Sequence, residues 1–190
     1  MITNKYINST KSIQIISYFL ILLFGSALLI VSSKIKVPFY PVPMTMQTFI
    51  IILFGSFFGW KKASLIVLTY LMEGLFGFPV FASTPEKGLG LSYMVGPTGG
   101  YLLGFLFTAF LSGYFNLRTN FILRFFYLAV SVVPIYLLGY LWLGYLVGWS
   151  KPIFEIGVQP FILAEFCKIL LLALIIPKIF SLKKKLRIII

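Results

Sequence analysis

Glu165 and Lys168 stand three residues apart inside the apolar run QPFILAEFCKILLLALIIPKIF, residues 159–180. In a helix that spacing puts both side chains on one face, with Glu on the N-terminal side, close enough to pair. A carboxylate acceptor beside an ammonium donor suits a ligand that carries N–H groups next to a carbonyl, with each bond charge-assisted. The same pair also suits a structural clamp that fixes the rotation of its helix, and the sequence alone leaves both readings open. At mid-membrane each charge costs about 2.5–3.5 kcal/mol, while each Leu, Ile or Phe returns about 0.3–0.6. The pair must therefore face protein or a cavity rather than lipid.

The chain around this pair is 60% hydrophobic and 11% charged over 190 residues, with a mean hydropathy of +1.03. Those values exclude an ordinary soluble domain and define an integral membrane protein. The stretch from 160 to 181 would form a helix roughly 31 Å long at about 1.5 Å per residue, enough for a bilayer core of about 30 Å. The first apolar run, residues 13–31, is longer than a signal-peptide core and ends in Ser-Ser-Lys, so cleavage is not expected. No repeat, linker or shift in composition divides the chain, which reads as a single transmembrane domain over 1–190. The lone cysteine, Cys167, reads as a small apolar packing residue.

Six spans are expected, at about 13–33, 45–58, 63–76, 97–114, 125–147 and 160–180. Two irregular stretches interrupt them. KIKVPFYPVPMTMQT, residues 34–48, carries Pro38, Pro41 and Pro43 and must be extended and stiff. The second, from Gly77 toward Phe105, is rich in Gly and Pro, and so long an irregular segment is usually a lid or a binding loop. A turn at Gly59-Trp60-Lys61-Lys62 joins the second and third spans, and a basic turn holds Arg118 and Arg124. With both termini in the cytoplasm, eleven of the sixteen basic residues fall inside, four (Lys34, Lys36, Lys87 and Lys151) fall outside, and Lys168 lies in the membrane. This distribution favours cytoplasmic termini. Both irregular loops and the Glu165 end of the last helix then lie outside, over an outward-facing pocket. The net charge of +12 follows from topology rather than from nucleic-acid binding, and the cluster SLKKKLR at 181–187 reads as a headgroup anchor.

The sequence contains no histidine, no aspartate and no P-loop, so neither a metal centre, a Ser-His-Asp mechanism nor intrinsic ATP hydrolysis is expected. The chain is read as a non-enzyme without a cofactor. If transport is uphill, its energy must come from a partner or an ion gradient.

PVPMTMQT (41–48), EGLFGFPVFA (73–82), GPTGGYLLGF (96–105), IYLLGYLWL (135–143) and PFILAEFCK (160–168) resemble, in order and spacing, the BioY family of biotin-binding S components of energy-coupling factor transporters. The resemblance covers about residues 24–176. It implies a six-helix bundle in a bacterial cytoplasmic membrane that captures biotin outside and works with a transmembrane coupling protein and two cytoplasmic ATPases. It also places the family's acidic residue and lysine of the last helix on Glu165 and Lys168, with Glu where the family usually has Asp. The stretch 83–90 is less glycine-rich than is usual. The pair of small residues expected on the first helix for docking is absent, leaving Gly25, Ser26 and Ala27 as the close-packing surface there.

Biotin's chemistry extends the candidate set. Its ureido group matches Glu165 and Lys168, while Thr45 and Gln47, which follow Pro43, serve either as ligand contacts or as a helix cap. Tyr101, Tyr136 and Tyr140 would wall the apolar rings, unless they are core residues with satisfied hydroxyls. Gly96, Gly99 and Gly100 either offer main-chain N–H groups to the valerate carboxylate or serve close helix packing. Glu73 is expected at the outer end of the third span, facing water or a loop amide. The competing functions are a membrane scaffold or assembly protein, which needs no cavity, and an autonomous carrier of another small carboxylate.

Overall fold

The computed structural model describes residues 2–37 and 40–185; Pro38 of the first irregular stretch and Arg187 of the basic tail lie outside the described residues. For residues 2–13, Val37, Lys183 and Lys185 it describes the backbone alone. The described chain is helical apart from one small ribbon: α1 Ile2–Lys34, α2 Gln47–Phe58, α3 Trp60–Leu75, α4 Gly90–Met94, α5 Gly99–Tyr114, α6 Phe121–Val147, α7 Ile153–Gly157 and α8 Gln159–Lys185. Three segments are long and apolar enough to cross a bilayer: Gln14–Lys34, Phe121–Val147 and Gln159–Leu182. Their outward faces carry exposed Phe19, Leu137, Ile162 and Leu163, an arrangement that suits lipid and not water. Helices α2, α3 and α5, of 12, 16 and 16 residues, are shorter.

In the first irregular stretch β1 (Lys36–Val37) pairs antiparallel with β2 (Met44–Thr45) in a two-residue ribbon, and Pro41 and Pro43 lie in the bent chain that leads into β2. The turn expected at 59–62 shrinks to Gly59 alone, whose φ of 79° suits glycine, and Trp60 already begins α3. The polar tail containing Lys5 and Lys11 continues the backbone of α1. The two short helices α4 and α7 fall in stretches read as irregular, where five residues are too few for a periodic signal.

Helix α5 sits between α2, α3 and α6. Its Gly100 and Gly104, one turn apart, let α6 approach backbone to backbone: a Cβ on Gly104 would lie 2.4 Å from Ile135 Cα, and one on Gly100 would lie 2.3 Å from Leu138 O. One core cluster joins α1, α3 and α5 around Ile66, Tyr70 and Phe81; a second joins α2, α6 and α8 around Ile52, Leu128 and Leu172.

Arg124 is not in a turn. It belongs to the first turn of α6 and is buried, donating from Nε to Leu117 O at 2.9 Å, from Nη1 to Ala173 O at 2.8 Å, and to Thr119 O. Ala173 is four residues before Pro177 of α8, so the guanidinium serves the carbonyl that Pro177, lacking an N–H, cannot. Cys167 is exposed on the outside of α8 rather than packed. Glu73 faces α1 and accepts a hydrogen bond from the Ser26 hydroxyl, and Gly25 packs on Ile66 of α3, so Gly25 and Ser26 are turned inward while Ala27 is exposed.

Candidate functional site

At the end of the bundle where α8 begins, the β-ribbon, α2, α5, α6, α8 and the segment around Phe81 enclose a cavity. Its polar end is built from α2 and α8. Glu165 and Lys168 are both buried, 5% and 9% exposed, and form an ion pair with 3.3 Å between Lys168 Nζ and Glu165 Oε2. Removing two such charges from water is tolerated only when further hydrogen bonds satisfy them. Lys168 Nζ meets that condition completely: its other donors reach Thr45 O at 2.7 Å and Thr48 Oγ at 3.0 Å. Glu165 meets it by half. Oε2 accepts from the Thr48 hydroxyl at 3.1 Å and the Tyr136 hydroxyl at 2.9 Å as well as from Lys168, whereas Oε1, buried to the same degree, has no partner.

The proline-bearing stretch and its ribbon bring main chain up to the buried pair. Extended backbone leaves Thr45 O unpaired within its own segment, and the α8 ammonium supplies the missing donor. The Thr45 hydroxyl accepts from the Gln47 N–H at 3.4 Å and donates to Gln47 Oε1 at 3.1 Å, so it caps the start of α2 in part. Gln47 Nε2 is turned to the Tyr70 hydroxyl at 2.8 Å.

The remaining walls are aromatic and aliphatic. Tyr101, Tyr136 and Phe161 cluster with ring centroids 5.9–6.5 Å apart, and the Tyr101 hydroxyl donates to Gly157 O at 2.8 Å. Across from them Phe81 stacks on Tyr93 at 4.9 Å. Val42, Pro43 and Ala82 complete the side toward the loops. The cavity encloses about 540 Å³ of space free of protein atoms, counted out to its mouth.

Of the residues singled out from the sequence, Glu165, Lys168, Thr45, Gln47, Tyr101 and Tyr136 line this cavity. Gly96, Gly99 and Gly100 do not. Gly99 N–H bonds Gly96 O at 3.0 Å, Gly96 O also accepts from Trp142 Nε1 at 2.8 Å, and Gly100 is pressed against Leu138 and Trp142 of α6. Tyr140 packs on Trp149, away from the cavity. Sequence reasoning passed over Thr48, Tyr93, Phe81 and Phe161. Thr48 was within reach of pattern arguments: it is one turn on from Thr45 at the start of α2, where hydroxyls beside a buried ion pair are useful. Among the described residues no three His, Cys, Asp or Glu side chains gather to hold a metal.

The arrangement sets a buried carboxylate with one unpartnered oxygen among the residues that line an apolar, aromatic cavity. It suits a small ligand with an N–H at one end and an apolar ring body. The profile of the BioY family matches residues 5–185. The chain is 37% identical over 153 residues to the biotin transporter BioY of Thermotoga maritima, covering 79% of this chain and 88% of that protein. It is 36% identical over 142 residues to a probable biotin transporter BioY of Pyrococcus horikoshii, covering 75% and 83%. Its fold matches a crystal structure of the S-component for biotin from an ECF-type ABC transporter, with a TM-score of 0.72 at 24% identity over 88% of this chain and 93% of that one.

Proposed function

The chain belongs to the BioY family, and from that premise we propose that it captures biotin outside the cell and serves its uptake as the substrate-binding S component of an energy-coupling factor transporter. Glu165 Oε1 carries this reading. A buried carboxylate oxygen without a donor costs at least about 1–3 kcal/mol, a cost that a ligand N–H directed at it would remove. A ureido N–H of biotin meets that requirement, and the thioether-bearing bicycle then lies among Tyr101, Tyr136 and Phe161. Lys168 holds Glu165 in place and turns one of its three donors to the ureido carbonyl once the ligand seats. Thr48 and Tyr136 keep the second carboxylate oxygen fixed, and Thr45 and Gln47 shape the polar end.

The membrane arrangement belongs to the same proposal. Helices α1, α2, α3, α5, α6 and α8 make six crossings in one domain, the short ones tilting little or ending within a thinner rim. The termini are cytoplasmic and the cavity faces outward, as the distribution of basic residues favours. With no P-loop in the sequence, ATP hydrolysis falls to two cytoplasmic ATPases joined through a transmembrane coupling protein, and the chain acts without a cofactor of its own.

Isothermal calorimetry of the detergent-purified protein with biotin tests the proposal. Saturable heat at one site per chain is expected; no heat at tens of micromolar ligand would leave a scaffold role ahead.

A further inference from the structure

The side of the cavity nearest the loops is closed by the main chain of residues 80–84, which contributes Phe81 and Ala82 to the wall. This roof segment has little secondary structure to hold it. Besides the core packing of Val80 and Phe81, it is gripped by side chains from the C-terminal end of α1 and from β1, each donating to a roof carbonyl. The Ser33 hydroxyl reaches Val80 O at 2.8 Å, Lys34 Nζ reaches Phe81 O at 2.8 Å and Thr84 O at 3.2 Å, and Lys36 Nζ reaches Ala82 O at 2.8 Å. A fourth donor comes from inside: the fully buried Tyr70 hydroxyl bonds Val80 O at 3.3 Å while accepting from Gln47 Nε2, whose side chain lines the cavity. Four of five consecutive carbonyls are thus held by side chains 46–50 residues earlier in sequence, or by Tyr70.

We propose that Ser33, Lys34 and Lys36 are positioning residues that clamp the roof of the binding cavity, and that release of this clamp sets the rate at which ligand enters and leaves. The roof is packed as well as bonded, with Phe81 between Tyr70 and Tyr93, but it is the wall whose main chain is tied down by a few discrete side-chain bonds. Carbonyls as acceptors make the grip independent of the roof's own side chains. Tyr70 gives the clamp a connection to the cavity, because any movement of Gln47 on ligand binding acts on the hydroxyl that holds Val80. The inference rests on the proposed biotin site for its ligand but not for its mechanics.

Two measurements separate the two. Hydrogen exchange of the ligand-free protein in detergent, read on peptides covering 78–90, reports opening of the roof directly. The double variant Lys34→Met/Lys36→Met is expected to raise exchange there about tenfold while peptides from α6 stay unchanged. Lys34→Arg/Lys36→Arg, which restores donors, should return it to the parental rate. In stopped-flow binding, the Met variant should show both association and dissociation of biotin faster by about tenfold, so that Kd moves less than either rate. Ser33→Ala is the milder test should the double variant fold poorly, with a smaller rise in the same peptides. Parental exchange in the roof of the folded Met and Ala variants would overturn the clamp. Faster exchange in a protein that does not bind biotin would uphold the clamp and sink the binding site instead.

Discussion

Replacing Glu165 by Gln tests the site most sharply, because the structure dictates how the new amide must sit. Oε2 faces three donors: Thr48 Oγ at 3.1 Å, Tyr136 Oη at 2.9 Å and Lys168 Nζ at 3.3 Å. An NH2 group there would meet the Lys168 ammonium donor against donor and would force the Thr48 and Tyr136 hydroxyls to turn from donating to accepting. The Gln carbonyl is therefore expected in that position and its NH2 in the position of Oε1, where the proposal puts the ligand. The substitution is isosteric and leaves the three donors an acceptor, so the protein should fold. The ligand, by contrast, loses a charge-assisted acceptor worth about 1.5–3 kcal/mol and meets a donor in its place. At about 1.4 kcal/mol per tenfold, biotin affinity should fall by about ten- to a hundredfold. Calorimetry on parent and variant, each with thermal unfolding measured alongside, gives the two quantities separately. A folded Glu165→Gln protein with parental affinity would show that the open carboxylate oxygen is not the ligand's acceptor. The ion pair would then be a clamp within the bundle, and the ligand would have to be sought along the loop-side wall.

Lys168→Met strands Glu165 as a buried charge without its cation and removes the donor to Thr45 O, so stability should fall by roughly 3–5 kcal/mol in a denaturation series; little change would mean that the pair is not buried as described. Gly104→Ala drives a methyl group to 2.4 Å from Ile135 Cα and forces α5 and α6 apart, so the purified variant should lose several degrees of melting temperature or fail to run as a single species in size exclusion. In a background where the exposed Cys167 is replaced by Ser, a cysteine at position 87 should react with an impermeant maleimide on intact cells, and one at 118 should not; the reverse pattern would invert the proposed orientation.

Much of the architecture is written in one dimension. Hydropathy alone marks 13–33, 125–147 and 160–180 as membrane-length segments, and prolines at 38, 41 and 43 rule out a continuous helix from the first of these into the span that begins near 45, because both signals act through the local backbone and the bulk solvent. The Glu165 and Lys168 pair was legible for a similar reason: a helix of fixed pitch puts residues three apart on one face, and lipid forbids that face from looking outward. What the sequence could not decide is which other groups meet the pair. Thr48 and Tyr136 come from α2 and α6, and only the packing of α5 against α6 through Gly100 and Gly104 brings those helices round the same carboxylate. The glycines of GPTGG show the opposite case, residues whose composition suits an anion site: the Gly96 and Gly99 N–H groups bond Tyr93 O and Gly96 O, and Gly100 is packed against α6. Arg124, readable only as one more basic residue near a membrane surface, turns out to serve the Ala173 carbonyl left unpaired by Pro177, forty-nine residues away in sequence but adjacent in space. Spacing fixes what lies on one element's face; which faces meet, and so which hydrogen-bonding groups remain open for a ligand, is decided by long-range packing that no local pattern encodes.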